Sequence, residues 1–317
     1  MSAGAESIAQ SAELWPEIPL APWVETYGTL HMLTQIVGKT RLALAPMVNH
    51  WWHIALYVTE RGLTTSAMPY GSGTAAVDFD FIDHEVLVRT SVGKTRSIAL
   101  RPRSVSDFYG EYVDALRSLG LMARIRPVPV EVEVAIPFAD DTQHASYDAA
   151  SATRWWRALI QADRVLKRFR GRFEGKASPV HFFWGSFDLA ATRFSGRTAP
   201  VYPGTVPNCP DSVMREAYSR ECSSAGFWPG GGAQEAAFYS YAYPEPAGYS
   251  NCQVLPSGAY YDRNMREFIL PYELVRSAES PDDMLLAFFQ STYEAAANSA
   301  AWDRASLERT TEQRELQ

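Results

Sequence analysis

The chain has 317 residues, of which 46% are hydrophobic and 21% are charged, a composition typical of a globular protein. Its net charge of −7 argues against a nucleic-acid partner or binding to an anionic membrane, and no apolar run is long enough to span a bilayer. The amino-terminal residues lack the basic start of a signal peptide, and the three cysteines form no C-x-x-C pair. A reduced, cytoplasmic location is therefore expected.

In chain order, the first predicted element is a long helix over residues 22–44. Pro22 suits its first turn, apolar residues recur at near-helical spacing, and Pro46 ends the pattern. Between residues 51 and 100, short runs alternate apolar and polar side chains and are separated by turn residues. Such closely spaced strands predict an antiparallel meander rather than β-α-β crossovers.

A second helix is indicated by a capping pattern, Ser104 with Asp107, and by Gly120 at its end. An extended connector over 127–137 follows, with alternating Val and Glu that suit an edge strand. Helix, strands and helix therefore make up one structural unit.

A second unit opens with a helix for which Ser146 or Asp148 is the N-cap. A strand over 181–189 comes next. It is followed by a Gly- and Pro-rich stretch over 196–235, which predicts a long loop that is either functional or mobile. The last helix begins at Ser280. We divide the chain into a disordered start (1–14), a first repeat (15–137), a second repeat (138–304) and a frayed end (305–317).

Two segments, 50–58 and 181–189, resemble one another without a gap. Each opens with a histidine, follows a proline and carries aromatic residues at matching places. Self-similarity of this kind indicates a duplicated unit whose copies pack on one another. The fold class predicted from these patterns is α+β, with two tandem α-β-meander-α repeats, each an antiparallel sheet with helices packed on one face.

Alternate residues of a strand share a face, which divides each of these segments into two rows. The row that begins with His50 or His181 is largely apolar and belongs beneath the helices. The other row mixes aromatic rings with His53, Ser186 and Asp188, which suits a pocket wall where the two copies meet. His53 paired with Asp188 is the candidate acid–base couple.

The sequence thus predicts a small ring-containing or anionic ligand in a cleft between the repeats, and it leaves open whether the protein is an enzyme. Aromatic rings would hold the body of the ligand, and cations would hold an anionic group. Trp228 precedes three glycines and is either the closing ring of a lid or part of a plain surface loop. The candidate binding residues are Trp51, Tyr57, Trp184, Ser186 and Trp228, with Lys176 and Arg193 for the anion.

Other interpretations stay open, because aromatic rows on strands are more often core than ligand sites. One alternative is a protein-interaction module that presents a flat aromatic patch. Another is a metal-dependent hydrolase, although the two histidines of His50-x-x-His53 face opposite ways on a strand. The candidate metal ligands are His50, His53, His181 and Glu245, and no bound metal or other cofactor is expected.

Three long motifs resemble an uncharacterised bacterial family, one of the domain-of-unknown-function families. They lie at 49–53, 178–188 and 226–231, and the resemblance extends over residues 15–308. It implies a bacterial, soluble, single-chain protein, and it supplies no catalytic residues because the family has no established activity. Where members often have Ser-His-Glu, this chain has Arg220 in the histidine position.

Overall fold

The computed structural model describes residues 14–310, which form two antiparallel six-stranded sheets and seven α-helices. The predicted α+β class is confirmed, whereas the tandem repeat stays a prediction. The expectations for residues 1–13 and 311–317 lie outside the described residues. The helices are α1 (Leu20–Leu44), α2 (Val105–Ser118), α3 (Ala149–Gly171), α4 (Asp211–Ala217), α5 (Tyr272–Arg276), α6 (Pro281–Ser299) and α7 (Arg304–Leu307).

Each sheet is formed by one half of the chain, and all its strand pairs are antiparallel. The first sheet has the order β1-β2-β4-β5-β6, with β3 paired to β4, and the second has the order β11-β12-β10-β9-β8-β7. The strands of the first sheet are β1 (Tyr57–Val58), β2 (Gly62–Thr64), β3 (Met68–Tyr70), β4 (Gly73–Asp80), β5 (Glu85–Thr90) and β6 (Thr95–Ala99). Those of the second are β7 (His181–Phe183), β8 (Asp188–Thr198), β9 (Arg220–Trp228), β10 (Ala237–Tyr243), β11 (Tyr260–Asp262) and β12 (Glu267–Pro271).

Helix α1 runs through the interior, and every residue from 29 to 41 is buried. It contacts the turn between β7 and β8 in two places: His31 Nε2 lies 2.8 Å from the carbonyl oxygen of Gly185, and Gly38 packs against the indole of Trp184. A Cβ atom at Gly38 would lie within 3 Å of that indole, so glycine is required there. None of the helices within residues 14–310 has both the length and the apolar composition of a membrane span.

The predicted helix caps are confirmed at two sites. Ser104 Oγ accepts a hydrogen bond from the Asp107 amide at 3.1 Å, and the Asp148 carboxylate accepts one from the Ser151 amide at 2.8 Å. Gly120 follows α2 with a φ of +80°, the left-handed conformation that glycine adopts without strain. Each cap satisfies an amide that has no partner inside the helix.

An aromatic cluster around Trp155 of α3 joins the two sheets. Its ring stacks on Phe187, with centroids 4.8 Å apart, and on Trp23 of α1, with centroids 5.6 Å apart. It also meets the edges of Phe81, beside the first sheet, and Phe182, in the second. Because all five rings are buried, the two halves of the chain share one hydrophobic core.

The two similar segments do not share a conformation, so dividing each into strand faces was wrong. Residues 49–51 form a 3-10 helix and the chain turns at 52–54, which leaves only the two-residue strand β1. Residues 181–189 reverse direction at 184–187 and form the β7–β8 hairpin. The segments do touch, since Leu56 and Phe182 exchange backbone hydrogen bonds of 2.8 and 2.9 Å. They therefore meet as expected, but not as two equivalent strands.

The long loop expected over 196–235 is also absent. This stretch holds the end of β8, helix α4 and the whole of β9. Its triple glycine is the turn between β9 and β10, where the Gly231 and Gln234 backbones exchange hydrogen bonds. The stretch 305–317 was expected to be frayed, but its described part has regular structure. It contains the end of α7 and a β-bridge between Glu308 and Phe173.

Candidate functional site

The two faces of the second sheet have different surroundings. Leu189, Phe227 and Phe238 are buried on the face covered by α3, α5 and α6. Their neighbours along the strands, including Asp188 and Tyr239, point to the opposite face because side chains alternate along a strand. That face carries a cavity of about 400 Å³, which we call the carboxyl cleft. The residues that line it include Glu131, Ser186, Asp188, Trp228, Tyr239 and Glu267.

Asp188 is the most buried carboxyl group of the cleft, with 8% of its surface exposed. One of its oxygens accepts a hydrogen bond from the Ser186 hydroxyl and the other accepts one from the Tyr239 hydroxyl. Burial raises its pKa, and these two hydrogen bonds partly oppose the rise. No ion pair with Asp188 occurs among the described residues, so hydrogen bonds rather than a cation stabilise its ionised form.

Gly226 makes the bond between Tyr239 and Asp188 possible. It lies on β9 between the two strands, paired with Ala190 on one side and with Tyr239 on the other. The tyrosine ring crosses the space that a side chain at Gly226 would fill. The sequence could not have shown this role of Gly226, because the role depends on the strand register that places Gly226 between Ala190 and Tyr239.

Replacing Gly226 by Ala is expected to destabilise the protein by about 2 kcal/mol, a typical cost of overpacking. The added Cβ would lie within 3 Å of the Tyr239 hydroxyl and of the Leu189 carbonyl oxygen, and the carbonyl cannot move without disturbing the β8–β9 ladder. Urea unfolding measures the loss. Gly110→Ala is the matched control, because nothing lies within 4 Å of a Cβ built there. Equal stabilities of the two variants would contradict the assigned role of Gly226.

Two further carboxyl groups face the same cavity, and neither forms an ion pair or hydrogen bond within residues 14–310. Desolvation, with the charge of Asp188 as the next cause, raises the pKa of Glu131 to about 7 and that of Glu267 to about 8. Glu131 is exposed at the mouth of the cleft, whereas Glu267 is half-buried. The backbone of Glu131 has a φ of +60°. Gly185 leaves room for the Glu131 carboxyl group, because a Cβ atom at position 185 would collide with it.

Two segments without regular structure close the cleft on its open side. The 126–137 connector supplies Glu131, whose amide donates to the Pro207 carbonyl at 2.8 Å. The Asn208 side chain in turn donates to the Val132 carbonyl at 2.7 Å, which ties this connector to the 199–210 segment. The edge strand predicted over 127–137 does not form, because its backbone pairs with a loop instead of a sheet.

A second cavity, of about 530 Å³, adjoins the carboxyl cleft, and we call it the tyrosine cavity. The two share Tyr202, Tyr218, Tyr241, Met265 and Glu267 in their linings. The rings of Tyr202 and Tyr218 stack with centroids 4.7 Å apart, and the Tyr218 and Tyr241 hydroxyls lie 2.9 Å apart. The combined site is therefore an elongated groove with phenol walls and a carboxyl group at its middle.

Three of the predicted site residues line the carboxyl cleft: Ser186 and Trp228, predicted to bind the ligand, and Asp188, predicted as part of the acid–base couple. Trp184 does not, because its buried indole donates to the Ile54 carbonyl at 2.9 Å and covers the ammonium group of Lys39. Burial lowers the pKa of Lys39 to about 8. Trp228 is fixed at the end of β9, so it is part of the wall rather than the ring of a lid.

The two cations proposed for an anionic group lie apart from the cleft. The guanidinium of Arg193, 1% exposed, lies on the helix-covered face, 3.5 Å from the centroid of the Phe169 ring. Lys176 Nζ donates to His50 Nε2 at 2.8 Å and lies over the rings of Trp52 and Phe194. Neither side chain faces Asp188.

His53 and Asp188 form neither a hydrogen bond nor an ion pair in the described chain. His53 Nδ1 accepts a hydrogen bond from the Val48 amide at 3.2 Å, and its backbone carbonyl accepts one from Arg41. Tyr57 stacks over the same arginine. Trp51, predicted to hold a ring, donates its indole N–H to the Val213 carbonyl of α4 at 3.1 Å.

The candidate metal ligands are likewise dispersed. Both ring nitrogens of His181, which lies among aromatic rings, lack a hydrogen-bond partner in the part of the chain that the structure describes. Glu245 pairs with Arg266 at 2.7 Å. Across residues 14–310, no three His, Cys, Asp or Glu side chains come together in a way that would hold a metal ion.

A family model for a group of unknown function, DUF5996, matches residues 15–309. The chain belongs to the DUF5996 family. This agrees with the resemblance drawn from its motifs. No curated protein and no solved structure matches it.

Four residues of the site in this DUF5996 chain were not predicted from the sequence: Glu131, Glu267, Tyr202 and Tyr218. A signal existed only for β10, where alternating tyrosines mark one strand face. No sequence pattern marked Glu131 as a site residue. It lies in an irregular segment far from the other site residues in sequence, and only tertiary contacts bring it to the cleft.

Proposed function

We propose that the protein binds a small organic molecule in the groove formed by the carboxyl cleft and the tyrosine cavity. The observation that carries this proposal is the setting of Asp188: a buried carboxyl group, held by two hydroxyl groups, in the wall of an aromatic cavity. Burying a carboxyl group without a cation is costly, and such groups are more frequent at binding and catalytic sites than elsewhere.

Backbone strain beside this carboxyl group supports the proposal. Phe187, which precedes Asp188, has a φ of +60°, and so does Glu131 across the cleft. Residues other than glycine rarely adopt this conformation, and those that do cluster at functional sites. Two such residues therefore position two of the three carboxyl groups.

The shape of the groove favours a small molecule over the protein-interaction module. Its two cavities, of about 400 and 530 Å³, fall within the usual range for ligand pockets. A protein-binding face would instead present a flat, exposed aromatic patch. If the bound molecule reacts, Glu131 and Glu267, whose pKa values are raised to about 7 and about 8, suit proton transfer near neutral pH.

Thermal shift with mixtures of metabolites tests the proposal. A mixture that stabilises the wild-type protein is expected to lose its effect with Asp188→Asn and with Tyr239→Phe, because each removes part of the hydrogen-bonded pair. Asp140→Asn and Tyr260→Phe are matched controls at exposed positions outside both cavities and should respond like the wild type. Ligand shifts that survive in both site variants would place the site elsewhere.

A further inference from the structure

The side chains of the groove that can carry a charge near neutral pH are mainly carboxyl groups. Asp188, Glu131 and Glu267 have no cation within 4 Å among the described residues. Within residues 14–310, Arg266 is the one cation that lines either cavity, and it is already paired with Glu245 at 2.7 Å. Lys39 influences Glu131 electrostatically, but it lies beneath Trp184 and lines neither cavity. An anionic ligand would therefore face three carboxyl groups with no free cation to receive it.

The walls of the groove suit a positive charge equally well. Tyr202, Tyr218 and Tyr241 line both cavities, and Trp228 lines the carboxyl cleft. The face of an aromatic ring attracts cations, and tryptophan and tyrosine rings form the sites that hold organic ammonium groups. Met265, with a polarisable thioether, lines both cavities as well.

We infer that the ligand is an organic cation: an ammonium group carried on a flat or apolar body. This inference rests on the proposed function and assigns its substrate class. Glu267 lines both cavities, so the ammonium group lies beside it at their junction and the body extends along the tyrosine rings. Asp188 already accepts two hydrogen bonds and holds Tyr239 in place, whereas Glu131 and Glu267 keep their oxygens free for the ligand.

A set of isosteric probes separates charge from shape. Phenethylamine is cationic at neutral pH, 2-phenylethanol is neutral and phenylacetate is anionic, and the three share one ring and a similar length. Calorimetry uses the full-length protein at about pH 8.5, where Glu267 is mostly ionised and phenethylamine is still cationic. It is expected to show that phenethylamine binds about tenfold more tightly than the alcohol. No binding of phenylacetate is expected. Benzyltrimethylammonium, which cannot donate a hydrogen bond, should bind as well, since ring faces and carboxylates attract its charge.

Glu267→Gln is the decisive variant, because it keeps the shape of the side chain and cannot carry the negative charge that Glu267 has at pH 8.5. It should weaken phenethylamine binding by about tenfold and leave the affinity for the alcohol almost unchanged. Glu131→Gln is expected to act in the same direction. Glu235→Gln, an exposed neighbour outside both cavities, controls for the loss of one negative charge and should behave like the wild type.

Each outcome bears on the inference. Equal binding of the amine and the alcohol, or an amine affinity unchanged in Glu267→Gln, would overturn the cation assignment and leave the binding groove in place. Failure of both ammonium probes to bind would overturn it too. The groove itself is judged separately, by whether metabolite-induced stabilisation depends on Asp188 and Tyr239.

Discussion

Replacing Trp155 by Ala is expected to lower the free energy of unfolding by about 3–5 kcal/mol, the usual cost of deleting a large buried ring. Trp155 is fully buried, and its indole contacts rings from α1 and from both halves of the chain. The cavity left behind cannot collapse easily, because stacked rings on two sides hold its walls apart. Urea unfolding followed by far-UV circular dichroism measures the loss.

Two further variants sharpen this result. Trp155→Phe keeps a ring in the stack, and the indole N–H that it removes has no hydrogen-bond partner among residues 14–310. Its cost should therefore be well below that of Trp155→Ala. Trp51→Ala, a half-buried indole outside this cluster, should cost less than Trp155→Ala. If the two sheets share one core, unfolding stays a single transition in every variant. Two separate transitions, with only one shifted by Trp155→Ala, would contradict that expectation.

Replacing His181 by Leu is expected to remove a source of instability in acid. His181 is fully buried with both ring nitrogens unpartnered, and burial, followed by the charge of Arg41, lowers its pKa from 6.5 to about 3. Below pH 6.5 the unfolded chain binds a proton at this histidine and the folded chain does not. Stability is therefore lost as pH falls from 6.5 towards 3, by up to about 1.4 kcal/mol for each pH unit.

The difference in stability between His181→Leu and the wild type isolates this effect. Other groups with shifted pKa values, such as His31, Glu131 and Glu267, are present in both proteins and largely cancel. At pH 7.5 the variant should be at least as stable as the wild type, because it removes two unsatisfied polar atoms. Its advantage should then grow as pH falls below 6.5. A difference that stays constant down to pH 4.5 would show that His181 is protonated in the folded protein or reaches solvent.

Local signals in the sequence were reliable where one short segment decides the structure. Ser104 and Asp148 cap helices as predicted, because a cap needs only a side chain and an amide three residues away. The alternation of Val77 and Phe79 with polar neighbours identified a half-buried strand for the same reason. These elements were enough to establish the α+β class.

Similarity between 50–58 and 181–189 was a weaker guide. Identical residue types do not fix a conformation when neighbouring elements differ. His50 and Trp51 adopt positive φ values beneath α4, where the His50 amide donates to Glu216, whereas His181 lies in an extended strand. The predicted pairing of His53 with Asp188 assumed that the two segments are equivalent strands. Because they are not, the two side chains do not meet.

By itself, the sequence determined the fold class, the helix ends and three residues of the groove, Ser186, Asp188 and Trp228. Only the tertiary structure decided that Glu131, Glu267 and Tyr218 join them and that Arg193 does not. Strand register, the crossing of Tyr239 over Gly226 and the docking of two irregular segments bring these groups together. Such contacts join residues far apart in the chain, and their energies depend on packing rather than on any local pattern.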